Sequence, residues 1–126
     1  MQPIAVSKAI TLPKMARYTG ADDSGIHSDE TVAQQQGLGG TLAQGGQLVG
    51  YLNEMMFRTL GPGYLSGGEI SVTFIHPVRP GDTVTTHAVQ KTSSTEDGRT
   101  RIEFEVWLEN QKGEKCTVGT AAGFAP

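Results

Sequence analysis

Cysteine, aromatic side chains, surplus positive charge and long apolar runs are all scarce in these 126 residues, and each scarcity removes a class of protein. The single cysteine, Cys116, cannot close an internal disulfide. It sits in an alternating pattern and reads as a small buried hydrophobe rather than a nucleophile. No Cys/His grouping has zinc-ligand spacing, so no metal is expected. Ten Lys and Arg against thirteen Asp and Glu give a net charge of -3. That is no footprint for nucleic acid, which needs a basic patch. No apolar stretch approaches the length that spans a bilayer, and no basic segment runs into an apolar one as in a signal peptide. A cytoplasmic protein with no membrane and no nucleic-acid partner is the expectation. The Gly-rich stretch is not followed by Lys-Ser/Thr, so it is not a P-loop, and no G-x-S-x-G elbow is present. No cofactor is expected.

What the chain has in quantity is glycine, 17 residues, placed mainly in loops and at strand ends. The length is that of one domain, taken as 1–126. Ile4, Val6, Ile10 and Leu12 fall on even positions and predict a strand over Pro3 to Leu12. Pro13 then starts a short helix, Lys14 to Tyr18. Ala21 to Ile26 reads as a loop. Ser28 is the expected N-cap of a helix with Asp29 and Glu30 in its first turn, ending at Gly37. Gly45 to Leu60 is the longest helical pattern. Leu48, Leu52, Met55, Met56 and Leu60 share one face. Gln47, Glu54 and Arg58 share a face read as solvated. Gly61-Pro62-Gly63 terminates the helix. Four strand candidates follow: Glu69 to His76, Thr83 to Lys91, Arg101 to Glu109, and Lys115 to Phe124, the last alternating through Cys116, Val118, Thr120 and Ala122. Asp97-Gly98 between the second and third of these is a hairpin signal. Polar and apolar residues alternate through them, so one sheet face is wet and the other needs a cover. The long helix is that cover. The predicted fold class is α+β, an antiparallel sheet wrapped around one central helix.

The chemistry is expected in the first half. Asp22 and His27 lie five positions apart in one loop, where a carboxylate and an imidazole can both reach one water. A helix N-terminus beside the imidazole disfavours its charged form, leaving a ring able to accept a proton. An Asx-turn beside a surface histidine explains the same residues without catalysis. Backbone N–H groups at Gly45 and Gly46 open the long helix. They are fit to hold a carbonyl oxygen as charge builds on it, or a phosphate, or nothing at all. Tyr64 and Ser66, just past the helix, are candidates to line a cleft. His76 and His87 read as structural.

Motif and architecture together resemble the MaoC-like family, the (R)-specific enoyl-CoA hydratases of hot-dog fold. That family carries an acidic residue, then Asn-Pro-Leu/Ile-His, then x-Asp, and the matching run here is Asp22-Asp23-Ser24-Gly25-Ile26-His27-Ser28-Asp29. Its His-Gly at the helix start corresponds to Gln44-Gly45. Its Phe-x-x-Pro-Val-x-x-Gly-Asp-x-Val is intact as Phe74, Pro77, Val78, Gly81, Asp82 and Val84. The resemblance implies a hydratase or dehydratase acting at the 2,3-position of an acyl thioester. It implies Asp22 and His27 as the catalytic pair and Gly45 as the oxyanion-hole N–H. Ser24 stands for the family's Asn, Gly25 for its Pro and Gln44 for its His. Ser24 and Gln44 are therefore the expected substrate contacts, joined by Tyr64 from its place past the helix, in a pocket differing from that of a fatty acyl-CoA hydratase. Lys14, Arg17, Arg58 and Arg79 are scattered in the sequence and form no compact basic patch for CoA phosphates.

Three other readings fit the same pattern. A hot-dog thioesterase would activate water with a carboxylate on the long helix, where Glu54 is the candidate. A silent module would bind an acyl group or a partner and tolerate Asp22→Ala. A dehydratase or cyclase on a free small molecule would keep Asp22 and His27 and drop the thioester. Sheet edges left open in a lone hot-dog domain predict a homodimer.

Overall fold

A computed structural model describes residues 1–20, 25–27, 29–38 and 40–126. The N-terminal segment is extended but contributes only three residues of strand, β1 (Ser7–Ala9), before helix α1 (Leu12–Thr19) begins. The Thr11 hydroxyl accepts from the Lys14 N–H at 3.3 Å, and Pro13 sits in the first turn. That cap starts the helix two residues before the sequence pattern suggests. Val6 and Ile10 are buried as their alternation implies, but Ile4 is exposed.

Helix α2 (Glu30–Gln35) is capped by Asp29, whose carboxylate accepts from the Val32 N–H at 3.1 Å. Asp29 was expected inside the first turn; it stands one position earlier, as the cap. The residue expected to cap, Ser28, lies outside the described residues.

Helix α3 (Gly45–Leu60) has the bounds that its apolar period predicts. Leu48, Leu52, Met55, Met56 and Leu60 are all buried. Each such side chain contributes about 1.5–3 kcal/mol on leaving water. Gly61, at φ 66, ends the helix, and a further turn, α4 (Pro62–Leu65), follows where only a terminator was expected.

The sheet is antiparallel, in the order β1-β3-β4-β5-β2, with β2 Glu69–Phe74, β3 Thr83–Glu96, β4 Arg99–Glu109 and β5 Lys115–Phe124. Asp97 (φ 50) and Gly98 (φ 74) make the tight turn between β3 and β4, the two positive φ values that a two-residue hairpin needs. Ile102, Phe104, Val106 and Leu108 of β4 point at α3 and are buried. Trp107 points outward, stacked on His87 at 5.3 Å with the Lys115 ammonium 4.7 Å from its ring centre.

The register corrects one expectation. Phe104 faces Ala121, Val106 faces Gly119 and Ile102 faces Gly123. The inner face of β5 is thus the small-residue set, not Val118 and Thr120. A Cβ on Gly123 would stand 2.7 Å from Leu60 Cδ1, so α3 rests almost on the strand backbone. Between Leu108 and Glu109 the pairing slips by one residue of β5, and Cys116 is the extra residue. The slip buries Cys116 and Thr117 together. Burial also pushes the Cys116 thiol up from its ordinary pKa. The Cys116 carbonyl accepts from the N–H groups of Ile75 (2.8 Å) and His76 (3.2 Å), fixing the chain as it leaves β2. Among the described residues no helix is long and apolar enough to cross a membrane.

Candidate active site

The site is assembled by a clamp. Arg79 donates to the carbonyls of Leu38 (2.6 Å) and Gly40 (3.1 Å), while its own N–H donates to the Asp82 carboxylate at 2.9 Å. Three residues past Gly40, the Ala43 N–H donates to the Val78 carbonyl at 2.7 Å. The run from Pro77 to Val84 is therefore a brace for the segment that leads into α3. Val78 and Val84 anchor it in the core, and Gly81 (φ 96) makes its turn.

Glu30 braces the same segment from the other side. One carboxylate oxygen accepts from both the Thr41 hydroxyl (2.5 Å) and the Thr41 N–H (3.2 Å). These two bonds hold the Glu30 carboxyl below its ordinary pKa of 4.5, with Arg79 adding to the effect. A group whose folded pKa is depressed contributes stability above its unfolded value and loses it as pH falls through the folded one. Glu30→Gln is thus expected to flatten the acid side of the stability profile. Urea midpoints at neutral pH and on the acid side of 4.5 should lie closer together in the variant than in wild type.

Clamped in this way, Leu42, Ala43 and Gly45 line a cleft of about 390 Å³ with Leu48, Phe74 and Val78. Gln44 is the N-cap of α3 by position, and its side chain makes no capping bond. Its carbonyl accepts from Gln47 and Leu48, leaving the N–H groups of Gly45 and Gly46 without a carbonyl one turn back. A Cβ on Gly45 would stand 2.7 Å from Phe74 Cζ, so the ring at the end of β2 packs on the bare helix tip.

His27 is tied to the backbone of the cleft wall at Leu42. Its Nδ1 lies 2.8 Å from the Leu42 carbonyl oxygen. A carbonyl only accepts, so Nδ1 carries the hydrogen, and in the neutral ring Nε2 keeps its lone pair. The neighbouring bond, Leu42 N–H to Ile26 carbonyl at 3.1 Å, ties the histidine loop to the same strand-like segment. The imidazole is thereby fixed three residues ahead of the helix tip.

Asp22 and Ser24 lie outside the described residues. Tyr64 does not share the cleft. Its hydroxyl donates to Asn53 Oδ1 at 2.5 Å, and it lines a separate groove with Gly50, Phe57 and Ile70. Burial pushes its pKa up. Asn53 is eight residues beyond Gly45, about 12 Å along the helix axis. Glu54 is held by Lys8 (3.1 Å) and Arg58 (3.0 Å), so its carboxylate is occupied by two cations. Among the described residues, no three His, Cys, Asp or Glu side chains gather as a metal site.

His76, read from the sequence as structural, lines the cleft and lies 3.7 Å from Glu114. Its position two residues past Phe74, at the end of a strand whose inner face meets α3, was the available signal. Gln47 was placed on a wet face, yet it is buried. Tyr18 of α1 abuts α3 beside it, at Gly46, which no local pattern in the sequence announces.

A family model for the MaoC-like domain matches residues 2–113. No curated protein matches. Among solved structures, an (R)-hydratase from A. caviae involved in PHA biosynthesis is 20% identical, with a TM-score of 0.79 over 99% of this chain and 95% of that one. The unliganded R-hydratase PhaJ1 from Pseudomonas aeruginosa is 21% identical, TM-score 0.76, over 99% and 80%. The truncated HadBC complex from Mycobacterium tuberculosis, a 3R-hydroxyacyl-ACP dehydratase, is 15% identical, TM-score 0.70, over 98% and 96%. These structures share the wrapped-helix architecture described above, the hot-dog fold. Matched from residue 2 to residue 113, and built on that fold, the chain belongs to the MaoC-like domain family.

Proposed function

We propose that this protein is a hydro-lyase that adds water across the 2,3-double bond of an enoyl thioester, or removes it from a 3-hydroxyacyl thioester. The observation that carries the reading is the His27 ring. It is held by the Leu42 carbonyl with Nε2 available, beside an apolar cleft onto which the uncapped start of α3 opens. Membership of the MaoC-like family supports it.

In this reading the thioester carbonyl accepts the Gly45 N–H, which draws charge from the β-carbon and stabilises the enolate that forms. Asp22 and His27 hold the water between them. The water oxygen bonds to C3, the pair takes up its proton, and a proton is delivered to C2; dehydration is the reverse. Ser24 and Gln44 contact the substrate near the reacting carbons. Tyr64, in α4 and bonded to Asn53 on the far half of α3, meets only an acyl chain long enough to run along the helix.

Two copies of the chain form the working unit. The edge strand β2 and the exposed apolar side chains Phe57, Leu65, Phe74 and Ile75 are what a second copy would cover. A dimer mass by light scattering at micromolar concentration checks this.

Crotonyl-CoA hydration, followed as loss of enone absorbance, tests the function. Enone loss without thiol release supports the lyase. Thiol release in place of enone loss replaces it with a thioesterase, although Glu54, tied to Lys8 and Arg58, is poorly placed for that work.

A further inference from the structure

The cleft at the start of α3 is apolar except at one place. Leu42, Leu48, Phe74 and Val78 line it, and among the described lining residues His76 alone has a polar side chain. A plain hydrocarbon acyl group has no use for an imidazole at that position.

The chain spends several contacts on placing this ring. The N–H groups of Ile75 and His76 both donate to the Cys116 carbonyl, which fixes the backbone where β2 ends. On the other side stands Glu114, with Oε1 3.7 Å from His76 Nε2. Glu114 is itself held. Asn110, buried, donates from Nδ2 to the same Oε1 at 3.0 Å. Asn110 Oδ1 accepts from the N–H groups of Lys112 (3.0 Å) and Glu114 (3.1 Å). Gln111 of the same turn donates to the Asp82 carboxylate at 2.9 Å, which ties the turn to the brace behind the cleft. The asparagine sets the carboxylate, and the carboxylate sets the ring.

The placement decides what the ring can offer. A carboxylate only accepts, so the hydrogen of a neutral ring belongs on Nε2, facing Glu114. Nδ1 remains, and among the described residues it has no hydrogen-bond partner. In the neutral ring Nδ1 accepts; in the charged ring it donates. A hydroxyl does both, so it matches either form. A keto oxygen matches only the charged ring. A carboxylate also matches only the charged ring, and it would stand beside the like charge of Glu114.

The reach can be bounded. Phe74 packs on the helix tip at Gly45, and His76 lies two residues further along, roughly 7 Å in an extended chain. In an extended acyl group a hydroxyl on C5 lies about 6 Å from the thioester carbonyl carbon. We infer that His76 is a specificity residue that binds a C5 hydroxyl of the acyl group. The substrate class is then a 5-hydroxy-2-enoyl thioester, or the 3,5-dihydroxyacyl thioester from which loss of water yields it. The inference rests on the hydro-lyase reading for the thioester, but the His76 contact is testable without turnover.

The test compares trans-5-hydroxyhex-2-enoyl-CoA with trans-hex-2-enoyl-CoA, both followed as loss of enone absorbance. Wild type is expected to favour the hydroxylated substrate at least tenfold in kcat/KM. His76→Phe brings the two within twofold of each other by slowing the hydroxylated substrate alone. His76→Asn places an amide, both donor and acceptor, where Nδ1 stood, and keeps at least a third of the preference. Glu114→Gln, an exposed substitution, removes the carboxylate that turns the ring and cuts the preference at least threefold; it decides should His76→Phe not fold. Equal kcat/KM for the two substrates in wild type overturns the inference, as does a preference that survives His76→Phe. Faster turnover of trans-4-carboxybut-2-enoyl-CoA than of the hydroxylated substrate also overturns it, because His76 would then read charge. If no thioester is turned over, the hydro-lyase reading falls and calorimetric titration with the same two hexenoyl ligands decides. Binding of the hydroxylated ligand at least tenfold tighter, lost in His76→Phe, sustains the His76 contact; equal affinity, or no binding of either, overturns it.

Discussion

His27→Ala is expected to lower kcat for crotonyl-CoA hydration by about 10²–10⁴-fold, the usual worth of a positioned acid–base group. The side chain makes one backbone bond, to the Leu42 carbonyl, from a half-buried position. Losing that bond should cost only about 1 kcal/mol of stability, so the variant should fold. A second substitution separates chemistry from scaffolding. The His27→Asn side chain still offers an N–H to the Leu42 carbonyl but has no basic nitrogen where Nε2 stood. It should keep the loop tied and remain as inactive as the alanine variant. If His27→Asn retains more than a tenth of wild-type kcat, the imidazole acts only as a tether. Asp22→Asn, run in the same assay, should fall into the same range with KM little changed.

Gly45→Ala carries the next largest effect, about 10²-fold in kcat/KM, and for a steric reason. The new methyl would stand 2.7 Å from Phe74 Cζ and 2.8 Å from Cε2, closer than real side chains approach. Alanine suits a helix better than glycine does, so the helix should not be weakened. Either the helix tip moves or the half-exposed Phe74 ring swings into the cleft that it lines. A displacement of about 1 Å at an oxyanion donor is enough for a loss of this size. Combining Gly45→Ala with Phe74→Ala removes the clash and should recover most of the activity. A double variant as poor as Gly45→Ala alone would show that the tip needs bare backbone for the substrate itself.

Much of the fold was legible because it depends on local period. The five apolar positions of α3 repeat at helical spacing, and the helix runs between the residues that the pattern gives, Gly45 and Leu60. Asp97-Gly98 marks its hairpin through backbone chemistry that few other pairs tolerate. What was missed depends on partners distant in sequence. The inner face of β5 is small because α3 lies against it, and glycine and alanine carry little apolar signal. Gln47 looks polar and outward by its helical position, yet it is buried, with its amide on the Tyr51 hydroxyl. The strand expected over Pro3 to Leu12 is cut short because the Thr11 cap outcompetes the alternation.

The site divides in the same way. Gly45 could be named from the helix start that it opens. The bond that fixes His27 spans fifteen residues, and the clamp from Arg79 to Leu38 spans forty-one; neither has a sequence signature. Tyr64 was drawn in by nearness to the end of α3, but that end lies about four turns from the tip.

Cys116 has a practical consequence at the bench. As the sole sulfhydryl, wholly enclosed beneath the sheet, it is hidden from a disulfide dye while the chain stays folded. Colour developing at once in a mixture of protein, thioester and dye is therefore sulfur freed from the ligand. A slow later rise, reaching one equivalent per chain, is a clock for how often the sheet comes open.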